Sequence, residues 1–271
     1  MTSCVGHDGG LIEEHEREVR IVLPLGPCFG PLCAAQVTSD LIAKYVDLRQ
    51  SEDAQNATIN REMAALKRMF RLGMYSTPPK VVRLPKFPKL TENNVRKGFL
   101  EDAQYQKLLE SNSEIWFQTL VEMGRTYGWR ISELTRLRVD QIDLKSRTIR
   151  LEPGTTKNRE GREVTMTSAV HDMLAHALAG KSAKDHVFTR PNGMPVRDFR
   201  AVWRNATKAA GVPGLLFHDL RRTAARNLRR AGIAEGVIMK IGGWRTRSVF
   251  ERYAIVSQTD IADALKKLEA S

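Results

Sequence analysis

A mainly α-helical fold with one small antiparallel β-sheet (α+β) is what three features of this sequence predict. Apolar residues recur at helical spacing through most of the chain. Two short stretches, 148–152 and 163–167, alternate like strands and flank turn chemistry at Asn158 and Gly161. A segment rich in proline and basic residues, 77–98, separates two helical regions. At 271 residues the chain can hold one large domain or two modest ones.

Taken in order, residues 1–35 mix Gly, Pro and acidic residues around one apolar patch, Ile21-Val22-Leu23. They read as a flexible or atypical lead rather than a domain. Thr38 offers N-cap chemistry to a helix with Leu41, Ile42, Tyr45 and Val46 on one face. Thr58 is the next expected cap, and Ile59, Met63, Leu66 and Phe70 form the apolar stripe behind it. Residues 36–76 are thus expected as a short helical domain. In the linker, Pro78, Pro79, Pro85 and Pro88 forbid a helix, which makes it extended and semi-rigid. From 99 onward the chain reads as one larger domain to its end. Tyr105, Leu108 and Leu109 mark one helix. Ser113 caps another that carries Trp116, Leu120, Met123 and Tyr127. Gly128 permits a tight turn before a short helix with Ile131, Leu134 and Leu137 on its buried side. Further helices are expected over 168–179 and 196–210. A last one follows Thr259 or Asp260, with Ile261, Leu265 and Leu268 as its stripe.

The formal net charge is +12, and the first 35 residues are net acidic, so the basic excess lies in the rest of the chain. Such an excess fits a polyanionic partner, most simply nucleic acid. Arg61, Lys67, Arg68 and Arg71 on the second helix are candidate phosphate contacts, as are Lys86 and Lys89 of the linker. A basic linker joining two helical units suits a clamp around a duplex. No apolar run approaches the roughly 18 residues a membrane helix needs. The three cysteines, Cys4, Cys28 and Cys33, lack a second pair at ligand spacing and are expected as free thiols in a reducing cytoplasm. Asp140 and Asp143 lack a third carboxylate at matching spacing, so a solvated turn is preferred to a metal pair.

The most informative stretch runs from His218 to Tyr253. Leu220, Ala224, Leu228 and Ala231 fall at helical spacing, and Gly232 is placed to stop that helix. His218 and Arg221, three apart, project from one end of one face. A second short helix over 234–241 ends at Gly242-Gly243, with Trp244 just beyond and Tyr253 nine positions later. His, Arg, Trp and Tyr can all donate hydrogen bonds, an unusual set for a core.

This segment resembles the catalytic box of the tyrosine recombinases, the phage-integrase family. Their pattern is His-x-x-Arg, then Leu-Gly-His or Leu-Gly-Trp, then Arg-Tyr. Ile241-Gly242-Gly243-Trp244 and Arg252-Tyr253 match it with one departure, the extra Gly243 before Trp244. Upstream, Gly128-Trp129-Arg130-Ile131-Ser132-Glu133-Leu134 is similar to the first family motif, Thr-Gly-x-Arg-x-x-Glu-Leu. Lys157 matches the active-site lysine of a Thr-Lys-x(n)-Arg hairpin. The resemblance spans about Thr38 to Ala270 and implies a recombinase catalytic domain behind a small helical DNA-binding domain.

The resemblance also implies a chemistry without metal, ATP or any other cofactor. Tyr253 would be the nucleophile on double-stranded DNA and Arg130 and Arg221 the phosphate ligands. His218 would handle the phenolic proton, and Lys157 would protonate the leaving 5′ oxygen. Trp244 would add a hydrogen bond to the phosphate. Glu133 is expected to act structurally, steadying nearby Arg or backbone groups. The C-terminal helix would dock on a neighbouring protomer of a homotetramer on DNA, and the protein would be cytoplasmic and nucleoid-associated. Two rivals stay open at this point: a type IB topoisomerase-like enzyme, and a non-catalytic regulator using helix-turn-helix geometry.

Overall fold

A computed structural model describes residues 19–92, 99–152, 161–251 and 253, together with 261, 262, 265, 266 and 269. The chain divides into two units, Met1–Arg96 and Lys97–Ser271. Lys157, Arg252 and Leu268 lie outside the described residues, as does most of the expected C-terminal helix.

The first unit is built on two helices joined by a buried carboxylate. A helical turn α1 (Gly26–Phe29) precedes helix α2 (Ser39–Ser51), whose N-cap Thr38 accepts a hydrogen bond from the Leu41 N–H at 3.2 Å. Helix α3 (Asn56–Met74) buries Ile59, Met63, Leu66 and Phe70 as its spacing predicts. It starts before Thr58, with Gln55 as its N-cap. Glu62 is 1% exposed, and its carboxylate accepts from the Tyr45 hydroxyl at 2.9 Å and from Arg49 Nε and Nη2 at 3.1 and 2.9 Å. That bidentate ion pair ties α2 to α3 and satisfies the buried charge.

Packing adds to two expectations for this unit. Residues 1–35 are not wholly a loose lead: Leu25 and Phe29 are buried in the same cluster as Ile42, Tyr45 and Phe70, and Phe29 meets Tyr45 with ring centroids 5.1 Å apart. Apolar burial decides the matter, because α2 and α3 alone leave their shared stripe open on one side. The linker is also less free than its prolines suggest. It forms no helix or strand over 77–92, but Val81, Leu84, Phe87 and Leu90 pack on the same cluster. Asn60 pairs with the Leu90 backbone in both directions, at 2.8 and 2.9 Å, and Ser39 Oγ accepts from the Lys86 N–H at 2.9 Å.

The second unit follows the expected α+β plan. Helices α4 (Asp102–Glu110) and α5 (Ile115–Tyr127) lead to the short α6 (Ile131–Thr135). Glu114 takes the cap position expected of Ser113. A meander of β1 (Ile142–Asp143), β2 (Thr148–Leu151) and β3 (Arg162–Thr165) follows in the order β1-β2-β3, all antiparallel. Ile149 opposes Val164 in its register, and both face the core. The two-residue β1 is too short for any alternation to show in the sequence. Helices α7 (Ser168–Leu178) and α8 (Arg200–Ala209) come next, α8 opening four residues later than its pattern implied. The chain then runs through α9 (Asp219–Arg230), α10 (Glu235–Gly242) and α11 (Arg247–Glu251).

The core of this unit is largely aromatic. Trp203 meets Phe217 at 5.3 Å and Phe199 at 6.2 Å, both edge to face, and its indole N–H donates to the Leu215 carbonyl at 2.6 Å. That cluster anchors the segment leading into α9, and α9 packs along α5. A separate small core of Ala225, Ile238, Trp244 and Phe250 lies under α9, α10 and α11. Among the described residues no helix is long and apolar enough to cross a membrane.

Replacing Phe29 with Ala should lower the stability of the first unit by about 3 kcal/mol, the usual cost of emptying a buried aromatic site. Denaturant unfolding measures it. An unchanged transition would return the segment before α2 to the status of a passive lead.

Candidate active site

The site assembles where α5 ends, α9 begins and α10 ends. Gly128 stops α5 in the left-handed conformation, φ 66°, which a residue with a Cβ adopts only at a cost. A Cβ there would also stand 3.3 Å from the Arg221 Cα, so the turn lies directly against α9. Trp129 follows, and its indole N–H donates to the Ile241 carbonyl at 2.7 Å. One hydrogen bond thereby links the first motif to the end of α10, 112 positions away.

Arg221 lies at the middle and is 1% exposed. Nη1 donates to the carbonyls of Gly128 and Gly242, the latter at 2.7 Å, and Nη2 to that of Gly243 at 3.4 Å. These carbonyls belong to the C-terminal ends of α5 and α10, where helix dipoles place partial negative charge. The guanidinium carbon also lies 4.0 Å from the Trp244 ring centre and 5.4 Å from that of Tyr253. Burial, then repulsion from Arg130, bring its pKa down to about 10, which leaves it charged at neutral pH. With Nη1 committed to backbone, Nε–H and the rest of Nη2 remain for an anion. Part of the Arg221 donor fork is thus used in its own positioning.

Arg130 and Glu133 form the second layer. Glu133 Oε1 accepts from Arg130 Nη1 at 2.9 Å, while Oε2 accepts from the Arg130 backbone N–H at 3.0 Å and from Arg162 Nη2. The carboxylate is 3% exposed. Burial alone would raise its pKa, but Arg162 first, then the Arg130 backbone and guanidinium, hold it below the usual carboxylate range. Glu133 is therefore an ionised strut between two arginines. Arg162, at the start of β3, was not among the expected site residues. The one sequence signal for it is its place as the Arg that closes Thr-Lys-x(n)-Arg. Its guanidinium carbon also lies 5.0 Å from the Trp129 ring centre.

His218 sits at the N-cap of α9, and its Nε2 is 2.9 Å from the Tyr253 hydroxyl oxygen. With the lone pair on Nε2, the phenol donates to the neutral imidazole. Packing around the ring, then repulsion from Arg221, push the His218 pKa below its ordinary value, with Arg130 and Arg222 adding to the effect against Asp219. His218 keeps solvent exposure, and the lowered pKa favours its neutral form, which has a lone pair free to accept a proton.

Tyr253 leans on the small core, its ring 5.9 Å from Trp244 and 5.5 Å from His218. Trp244 packs beside the Tyr253 ring. Its indole N–H is enclosed, with no hydrogen-bond partner among the described residues, and it offers its ring face to Arg221. The paired glycines before it have a steric reason. A Cβ on Gly242 would stand 1.8 Å from an indole carbon, so the indole fills the space a side chain at 242 would need. Gly243 takes φ 67°, and a Cβ there would meet Arg162 Nη1 at 1.7 Å. The extra glycine thus follows from a large ring at 244 and a guanidinium beside 243.

Of the other expected site residues, Arg61, Arg68 and Arg71 are exposed on α3, and Lys86 and Lys89 are exposed on the segment after it. Lys67 is half-buried, its Nζ 5.9 Å above the Phe87 ring. Among the described residues no cluster of His, Cys, Asp and Glu could hold a metal ion.

The chain is similar to several known proteins. The model of the phage integrase family matches residues 98–259. The integrase of Salmonella phage P22 is 26% identical over 201 residues, covering 70% of this chain and half the length of that protein. A tyrosine recombinase of Pseudothermotoga lettingae is 26% identical over 231 residues, covering 81% of this chain and 78% of its own. Among solved structures, the Tn1549 transposon integrase in complex with transposon right end DNA superposes with a TM-score of 0.76. It is 18% identical and covers 98% of this chain and 95% of that one, a likeness of fold.

Gly242→Ala should destabilise the second unit by about 1–3 kcal/mol, the range for overpacking. Pairing it with Trp244→His should relieve most of that loss. A double-mutant cycle on thermal unfolding reads the coupling, and strictly additive losses would show that the indole does not occupy the space at 242.

Proposed function

Because this chain belongs to the phage integrase family, we propose that it is a site-specific DNA recombinase or integrase acting through a covalent phosphotyrosyl link. The observation that carries the reading is the Tyr253 hydroxyl 2.9 Å from His218 Nε2, with the buried Arg221 cation against the same phenol ring.

In this reading the Tyr253 oxygen attacks a backbone phosphorus, and its proton passes to His218. The bond from phosphorus to the 5′ oxygen breaks, leaving a 3′-phosphotyrosyl DNA end and a free 5′ hydroxyl. Lys157, outside the described residues, would protonate that departing oxygen. Arg130 and the open edge of Arg221 neutralise charge that grows on the non-bridging oxygens. Guanidinium groups keep their charge at any working pH and match the phosphate fork, so they can do this without a divalent ion. Trp244 serves as the platform under Arg221. A 5′ hydroxyl from a second duplex reverses the step, and the energy held in the phosphotyrosyl bond removes any need for ATP.

Double-stranded DNA is the proposed partner. Arg61, Arg68 and Arg71, with Lys86 and Lys89, supply sequence-independent phosphate contacts. Ile261 and Leu265 are 45% and 56% exposed. We assign them to contact with a neighbouring protomer in a DNA-bound tetramer.

Incubation with a nicked suicide duplex should trap a covalent adduct, unchanged by a chelator and abolished by Tyr253→Phe. Tight binding with no adduct across cognate sites would favour a regulator, and relaxation without exchange a topoisomerase. The adduct rate should hold at neutral pH and fall only at acid pH, with a midpoint below the reference histidine value of about 6.5. A midpoint above that value would remove His218 as the proton acceptor. Deleting residues 259–271 should weaken multimer formation on DNA while sparing one-site binding, and native electrophoresis separates the two effects.

A further inference from the structure

Helix α9 carries five arginines, Arg221, Arg222, Arg226, Arg229 and Arg230. Arg221 is held by backbone carbonyls, and Arg226 by Glu101 through both terminal guanidinium nitrogens, with Phe99 stacked 4.2 Å away. Arg222 differs. It is 7% exposed, and its Nε and Nη1 are buried with no hydrogen-bond partner among the described residues.

A buried guanidinium without a partner is unfavourable, because desolvation is not offset by an opposite charge or an acceptor. Packing alone would be served better by a Met or Leu of similar volume. Position supplies the reason to keep the charge. Arg222 lies one helical turn beyond His218, whose ring touches the Tyr253 hydroxyl, and next to Arg221. One turn rises about 5.4 Å, while phosphates on one strand recur about every 3.4 Å of duplex axis. The two spacings are of similar size, which is the geometric ground for looking to a neighbouring phosphate as the missing partner.

We propose that Arg222 is a further phosphate-binding residue, completed by a DNA backbone phosphate adjacent to the scissile one. The proposal rests on the recombinase reading for its choice of anion. Bound phosphate would supply the acceptor that the folded chain lacks and would screen the repulsion that Arg222 exerts on His218.

The test compares the full chain with Arg222→Met and Arg222→Lys. Binding to a fluorescent duplex of arbitrary sequence is titrated over a range of salt, alongside thermal unfolding. Arg222→Met should unfold at the same or a higher temperature yet bind on the order of tenfold more weakly, the loss of one charge-assisted contact. Its dependence of log affinity on log salt should be shallower by about one. Arg222→Lys should keep the wild-type slope. An unchanged slope in Arg222→Met overturns the proposal, and so does a marked loss of stability, which would mean that the charge serves the fold. The covalent adduct is scored separately. An adduct beside an unchanged slope sinks only the role of Arg222, whereas a shallower slope with no adduct sinks only the cleavage chemistry.

Discussion

A single buried cation organises the second unit. Arg221 has almost no solvent contact, and among the described residues its hydrogen bonds go to the carbonyls of Gly128, Gly242 and Gly243 rather than to a carboxylate. Carbonyls at helix ends stabilise a positive charge without cancelling it. An ion pair would have held the side chain as firmly but left little field for a phosphate. The cost is structural: two helices must end within reach of one guanidinium, and both must end on a glycine in the left-handed conformation.

That constraint propagates outward. Gly128 closes α5 against α9, Trp129 then bonds the end of α10, and Arg162 fills the space beside Gly243. Glu133 neutralises part of the charge shared by Arg130 and Arg162, but the three guanidinium groups still exceed the one carboxylate. Burial comes first in lowering the pKa of His218, and the nearby arginines Arg221 and Arg130 add to it. Trp244 belongs to the same arrangement, with its ring under Arg221 and its edge over Gly242, so residues 242 to 244 act as one packed unit.

The first unit shows the opposite economy. Arg61, Arg68, Arg71, Lys86 and Lys89 lie on exposed positions of α3 and the following segment, and its interior charge is matched within the chain, Glu62 against Arg49. Its small apolar core is completed by the turn around Phe29 and by the extended segment through Phe87 and Leu90. Neither segment has a periodic pattern, so local spacing could not reveal that both contribute to a core.

Helices with strong apolar stripes and the pairing strands β2 and β3 were legible in the sequence from local spacing, which survives without knowledge of distant neighbours. Arg130, Glu133, His218, Arg221, Trp244 and Tyr253 stood out as a set through their resemblance to family motifs, not through periodicity. Only the tertiary structure decided that Arg221 is half committed to helix ends, that the Trp244 N–H is enclosed, and that Arg162 completes the pocket. It alone decided why two glycines precede Trp244 and that Arg222 has no partner among the described residues. Those properties depend on which atoms approach across more than 20 and up to about 110 positions of chain, as between Arg221 and Gly243 or Trp129 and Ile241. Sequence states which groups are present, but burial and pairing, which set their charge and reach, arise only when the helices pack.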